Sequence, residues 1–372
     1  MSKFPSLPLI HLDAATPVEL GRQHGEQLRS WVQEMAAIRL QLLREECDFA
    51  SDQDVFDLAE TYIPLLQTFD MQLLAECEGI AQGSNTTLRQ IVIVNNYTDL
   101  RDVRRRRMHA GKPCTARNAD TADPGGCSTV YVPRQQGALL GQTWDIHLSA
   151  LPYVVLLHIT WQPAAAHLPS EAFVISVAGC LGMTGMNNCG VAVCINNLAS
   201  VNAQAGVLWP AVVRKALQHR TAKEAMHVIL QCQAGSGRHY AVADPQHIYA
   251  VEVYCSDNVL LPTQHEHSYC HTNHCLNKQT AKHHFIPPHS STQKRLSTLQ
   301  QLLSQQPPQN LAQMLSCLQQ VTIMPQPGVH SSATCAALVM DLQAQQMHAC
   351  SGAPSPTAAL KKISMCGRVG LP

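Results

Sequence analysis

The sequence has no excess of charge of either sign: 26 Lys plus Arg stand against 26 Asp plus Glu in 372 residues. A balanced chain has no global field to draw nucleic acid or an anionic membrane, so any charged partner is recognised locally. No apolar run approaches the roughly 18 residues that a bilayer span needs. The start, with one cation and a broken apolar stretch, lacks a secretory h-region. Its 15 cysteines are odd in number and without the spacing of a small disulfide scaffold, which fits thiols kept reduced. The expectation is a soluble, cytoplasmic protein, and 45% hydrophobic residues provide for a sizeable core.

What is present falls into blocks. Residues 14 to 98 read as helical: Thr16-Pro17-Val18-Glu19 is a capping box with proline in the first turn, followed by Leu20, Leu28, Trp31, Met35, Ile38 and Leu42 at helical spacing. Ser51 and Asp70 are further cap candidates, and Gly83 a stop. Residues 101–126, with arginines at 104 to 107 and then Asp123-Pro124-Gly125-Gly126, read as a basic linker. From Cys127 the period changes to strands. Thr129 to Val132 and Ala138 to Trp144 make a hairpin, and Tyr153 to Trp161, Ala172 to Ala178 and Val191 to Asn197 follow, with a turn over Gly182 to Asn188. Helices return at 209–219 and 221–231, strands at 240–243, 248–254 and 259–262, helices at 292–304 and 310–321, and strands at 335–342 and 347–351. This order predicts an α+β fold with antiparallel sheets rather than βαβ units.

The chemistry concentrates at Gly125-Gly126-Cys127-Ser128-Thr129 and Gly141-Gln142-Thr143-Trp144-Asp145. A cysteine opening a strand after two glycines can attack the carbonyl before it, because glycine lets the peptide be contorted and approached. Scission between Gly126 and Cys127 frees an α-amine. With a reference pKa of about 7.7–8.0, that amine can act as general base for its own thiol. Asp145, on the partner strand of the hairpin, returns beside Cys127 and can orient the amine. Taken alone, Gly-Gly-Cys is more often a turn with a buried thiol.

At these residues the chain resembles the acyl-coenzyme A:6-aminopenicillanic acid acyltransferase family of the N-terminal-nucleophile (Ntn) superfamily. Glu19 to Gly25 and Glu76 to Gly83 resemble its helical prosegment. Gly185-Met186-Asn187, His271-Thr272-Asn273-His274, Thr334 to Leu342 and Gly352-Ala353-Pro354 resemble later elements. The resemblance implies an αββα sandwich with two mainly antiparallel sheets, and self-cleavage into residues 1–126 and 127–372 that stay associated. It further implies Cys127 as nucleophile, Asp145 as its supporting carboxylate and Asn273 as an oxyanion donor. The implied substrates are small acyl amides or acyl thioesters, with acyl-coenzyme A as a co-substrate and no cofactor. The chain departs from the family at Thr143, where asparagine is common, and before the last strand pair, where a basic residue is expected and His330 stands. Thr143, Trp144 and His330 are the candidate substrate contacts.

Three features carry rival readings. His265 to Cys275, with His283 and His284, has residue types that bind zinc, but alternate strand positions face opposite ways and few could converge. This leaves a non-catalytic metal-binding protein, or a family member that never matures, as the alternatives. The arginines at 104 to 107 read as a solvated face, with a site for secondary proteolysis or a reader of anions such as coenzyme A phosphates as the functional alternatives. Glu252 reads as an edge charge in preference to a paired buried carboxylate.

Overall fold

Local capping chemistry organises the N-terminal helices. The computed structural model describes residues 6–47, 49–108, 126–255, 257–287, 289–324 and 332–365. After strand β1 (Leu9–Ala14), helix α1 (Pro17–Gln27) starts at Thr16, whose side chain accepts from Glu19 N; the Glu19 carboxylate turns to Arg22 at 2.6 Å instead of closing the box. The chain breaks at Leu28 (φ −119°, ψ 23°) before α2 (Arg29–Cys47). Ser51 and Asp54 form a complete capping box for α3 (Asp52–Glu60). After α4 (Ile63–Phe69), Asp70 caps α5 (Met71–Ser84) by accepting from Gln72 N and Leu73 N.

Helices α1 and α5 touch backbone to backbone. A Cβ on Gly21 would lie 1.9 Å from Glu76 O, and one on Gly79 would lie 2.0 Å from Val18 O. Gly21→Ala must push the helices apart and is expected to lower stability by about 2–3 kcal/mol. A thermal melt measures this, and an unchanged melting temperature would show that the close approach is dispensable.

Helix α6 (Leu88–Met108) corrects the boundary expected at residue 101. Arginine favours helix, and Arg104 and Arg106 find partners. Arg104 lies 5.1 Å over the Phe49 ring and Arg106 Nη1 donates to Asn202 O and Ala203 O at 3.1 and 3.0 Å. The run is therefore helix rather than loop, half-buried at Arg104 and Arg105 and exposed at Arg106. Residues 109–125 of the expected linker, like His330, lie outside the described residues.

The remainder alternates strands and helices: β2 (Gly126–Pro133), β3 (Ala138–His147), β4 (Val154–Trp161), β5 (Glu171–Val177), β6 (Thr184–Asn187), β7 (Ala192–Leu198), α7 (Trp209–Ala216), α8 (Ala222–Gln231), β8 (Gly237–Ala243), β9 (Ile248–Val253), β10 (Asn258–Leu261), β11 (Tyr269–His271), α9 (Lys278–Ala281), α10 (Thr292–Gln305), α11 (Leu311–Gln319), β12 (Ser332–Asp341), β13 (Gln346–Ser351) and β14 (Lys361–Ser364). The segment expected as a turn at 182–188 contains β6, which pairs with β5 and β7. Among the described residues the strands form one sheet ordered β1-β4-β5-β6-β7-β8-β9-β10 and another ordered β11-β2-β3-β12-β13-β14. The pairing is antiparallel apart from β1 with β4.

Strands β2 and β3 pack against β7 of the other sheet, while α10 and α11 cover their opposite face and α8 covers β8, β9 and β10. The result is a helix–sheet–sheet–helix sandwich. Alternation along β2 divides its residues: Val130 and Val132 join Leu296, Leu299 and Leu318 under the helices, whereas Cys127 and Tyr131 enter the core between the sheets. No helix among the described residues is long and apolar enough to cross a membrane.

Glu252 corrects the edge-charge reading, because β9 lies inside its sheet. Its buried carboxylate accepts from His271 Nε2 (3.1 Å), Leu276 N (2.6 Å) and the Thr280 hydroxyl, so hydrogen bonds compensate the burial. The hydrogen bonds and the pairing with His271 hold its pKa below the usual carboxylate value despite that burial.

Candidate active site

The β2–β3 hairpin sets Gly126 opposite Asp145 and Cys127 opposite Trp144, so the strand pairing inferred from sequence returns the carboxylate to the Gly126–Cys127 bond. A Cβ on Gly126 would lie 2.8 Å from Arg295 Nη2 and 3.1 Å from Asp145 Oδ2, so these two groups approach the bond closely. Asp145, 3% exposed, accepts from the hydroxyls of Thr334 (2.6 Å) and Thr143 (3.4 Å). Burial pushes its carboxyl up to about 6, against the pull of Arg295 and the two hydroxyls. Burial, aided by the Asp145 charge, pushes the Cys127 thiol up to about 12 in the intact chain. Main-chain hydrogen bonds from Asp145 and Asn197 and the Arg295 charge act in the opposite direction.

Cys127 is clamped on both sides of its Cα. Its N–H donates to Asn273 Oδ1 at 2.8 Å, and its carbonyl accepts from Asn196 Nδ2 and Arg295 Nη1, each at 2.9 Å. Arg295, 5% exposed on the first turn of α10, also donates to Ser128 Oγ (2.8 Å) and to Asn273 Oδ1 (2.7 Å). Asn273 thus points its oxygen at Cys127, while its Nδ2 donates to Asn197 O at 2.9 Å.

The candidate substrate contacts divide. Trp144 lines a small cavity at Cys127 together with Ile146, Ile195, Asn197 and Trp209. Thr143 instead turns its hydroxyl to Ser128 N (3.2 Å) and Asp145, within the sheet. The far wall comes from helix α6, through Thr98 and Arg101, and from Arg238 on β8. Arg238 pairs with Asp99 of the same helix and donates to Thr98 Oγ1 and Asn197 Oδ1, each at 2.5 Å.

The histidine-rich stretch diverges. His271 turns to Glu252, His274 Nδ1 lies 2.9 Å from Thr292 Oγ1, and Cys270 faces the α10–α11 core. Among the described residues no three His, Cys, Asp or Glu side chains converge as a metal set.

Sequence reading missed Arg295, Asn196 and Thr334. Arg295 sits in an ordinary amphipathic helix, and nothing local distinguishes it from an exposed cation. Asn196 and Thr334 lie in strands whose apolar pattern conceals them.

Residues 132–356 match the family model for acyl-coenzyme A:6-aminopenicillanic acid acyl-transferase. The 40 kDa form of acyl-coenzyme A:6-aminopenicillanic-acid-acyltransferase from Emericella nidulans is 24% identical over 291 residues, which cover 78% of this chain and 75% of that protein. Among solved structures, penicillin V acylase from Agrobacterium tumefaciens is 14% identical with a TM-score of 0.42, covering 64% of this chain and 86% of its own. A variant of conjugated bile acid hydrolase from Clostridium perfringens is 10% identical with a TM-score of 0.46, covering 64% and 92%. With more than half its length matched by the family model and the hairpin, helices and two sheets in place around Cys127, the chain belongs to the acyl-coenzyme A:6-aminopenicillanic acid acyl-transferase family.

Proposed function

We propose that this protein is a self-processing enzyme of acyl transfer or amide hydrolysis whose nucleophile is Cys127. The observation that carries the reading is the clamp on Cys127. Its nitrogen, its carbonyl and the adjoining carboxylate are all held by buried groups at the start of a strand, directly after Gly126. In the intact chain, Sγ attacks the Gly126 carbonyl carbon, the C–N bond breaks, and the thiol proton passes through Asp145 to the departing nitrogen. Water then hydrolyses the thioester, leaving a Gly126 carboxylate and a Cys127 with free thiol and free amine.

In turnover the freed amine takes the thiol proton. The acyl carbon of a small acyl amide or acyl thioester moves to Sγ, and the leaving amine or thiol departs with that proton. Water or an acceptor amine then removes the acyl group. The main-chain N–H groups of Asn197 and Asp145 that act on Sγ favour its thiolate. For Asn273 to serve as an oxyanion donor, its Nδ2 must leave Asn197 O; as it stands, its oxygen suits the task of holding the amine. The walls of Trp144, Ile146, Ile195 and Trp209 favour an apolar acyl group, and acyl-coenzyme A is the thioester to try.

The two fragments have reason to stay together. Strand β1 pairs with β4, Glu76 forms a buried pair with Arg214 at 2.8 Å, and Asp99 pairs with Arg238. Buried cysteines such as Cys77, Cys194 and Cys350 are free thiols, in keeping with a reducing cytoplasm.

Scission should depend on pH through Asp145. Because its carboxyl is raised to about 6, it is protonated below that pH and cannot accept the thiol proton. The scission rate should therefore rise about tenfold per pH unit up to about pH 6 and then level. Intact-mass spectrometry of freshly translated chain across this range tests the reading. A flat profile would remove Asp145 from the proton path, and a chain that stays whole at every pH would remove self-processing. Incubating the mature form with acyl amides and acyl-coenzyme A thioesters then separates hydrolysis from transfer by product mass.

A further inference from the structure

We infer that His239 is a positioning residue for the nucleophile, holding the Asn196 side-chain amide in the one orientation that clamps Cys127. The inference rests on the proposed role of Cys127.

Asn196 on β7 stands opposite His239 on β8, so their side chains share a face of the sheet, and both are fully buried. The nitrogen of the Asn196 amide lies 2.9 Å from Cys127 O and 3.4 Å from His271 O. Both are carbonyl oxygens and can only accept, so the NH2 end of the amide belongs there. Its oxygen then accepts from Thr129 Oγ1 at 3.0 Å and from His239 Nδ1 at 2.7 Å. His239 must therefore carry its proton on Nδ1, leaving Nε2 to accept from the Tyr269 hydroxyl at 3.0 Å. The His239 ring stacks on His271 with centroids 3.6 Å apart and planes 4° apart, and His271 is in turn tied to Glu252. Burial, aided by His271, pushes the His239 pKa well down, which keeps it the neutral imidazole this string needs.

The string has a consequence for catalysis. Scission makes Cys127 a chain end, and chain ends fray unless tied down. Its carbonyl is the first fixed backbone group after the reactive atoms, and its direction sets where Cβ and Sγ lie. A flipped Asn196 would set its oxygen against Cys127 O and its NH2 against the His239 N–H. With its Nδ1 proton facing Asn196 Oδ1 and the Tyr269 hydroxyl on Nε2, His239 opposes that flip together with Cys127 O and His271 O.

Three substitutions separate this role from simple core packing. The amide nitrogen of asparagine stands two bonds beyond Cβ, as Nδ1 does, whereas that of glutamine stands three bonds beyond, as Nε2 does. His239→Asn should retain scission within about threefold of wild type, while His239→Gln and His239→Phe should slow it about tenfold, the worth of one misplaced hydrogen bond. Scission is followed by intact mass in freshly translated chain. Alkylation of the mature Cys127 thiol by iodoacetamide gives a second rate, and circular dichroism melts report the fold. Wild-type scission in both His239→Gln and His239→Phe would overturn the inference, as would equal slowing in all three with equally lowered melts. If wild type itself is neither cut nor alkylated at Cys127, the parent reading fails first and takes this one with it.

Discussion

Cys127→Ala is expected to yield a folded, single, uncut chain with no turnover. The thiol is 3% exposed, so losing Sγ leaves a small cavity costing about 1 kcal/mol. The bonds that fix this residue, from its N–H to Asn273 and to its carbonyl from Asn196 and Arg295, are main-chain bonds that alanine keeps. Loss of a covalent nucleophile, by contrast, costs about 10⁶ in rate. Intact mass of wild type beside the variant reads both effects at once. Cleavage of the alanine variant between residues 126 and 127 would mean that another protease or nucleophile makes the cut, and the assignment of Cys127 would fall.

Arg295→Leu should damage both fold and chemistry. Its guanidinium is the cation whose charge acts on the buried Asp145 carboxyl, and it satisfies Cys127 O, Ser128 Oγ and Asn273 Oδ1 together. Removing it leaves a buried carboxylate uncompensated, expected to cost about 3–5 kcal/mol. It also lifts the force that holds the Asp145 carboxyl down, so the onset of scission should move to a pH above about 6. Denaturant melts and the pH profile of scission measure the two consequences. Arg295→Lys should lie between, because an ammonium restores charge without the planar fork that reaches three acceptors. A leucine variant with unchanged stability and an unchanged pH onset would show that Asp145 is balanced by its hydroxyl partners alone.

The elements that sequence located well are those whose cause is local. Ser51, Asp70, Thr221 and Asn310 each cap the helix expected after them, because the cap bond spans two or three residues. The β2–β3 hairpin followed from alternation around Gly137, which sits at φ +72° in the turn. Errors arose where a distant partner overrode local composition. The arginines past residue 101 looked like a solvated loop, yet Phe49 and the carbonyls of residues 202 and 203 make helix the better state. Short strands such as β1 and β6 exist because a neighbouring strand accepts their hydrogen bonds, and their own residues carry little signal.

The same division holds at the site. Sequence by itself determined that a cysteine follows glycine at a strand start and that a hairpin carries Asp145 back beside it, since both depend on chain direction and a period of two. Only the tertiary structure decided what surrounds that cysteine. Arg295 arrives from 168 residues away and Asn196 from 69, and Glu252 is a buried partner of His271 rather than an edge charge. No local pattern encodes these meetings, because a buried polar group is fixed by whichever partner the packed sheets and helices bring within hydrogen-bond reach.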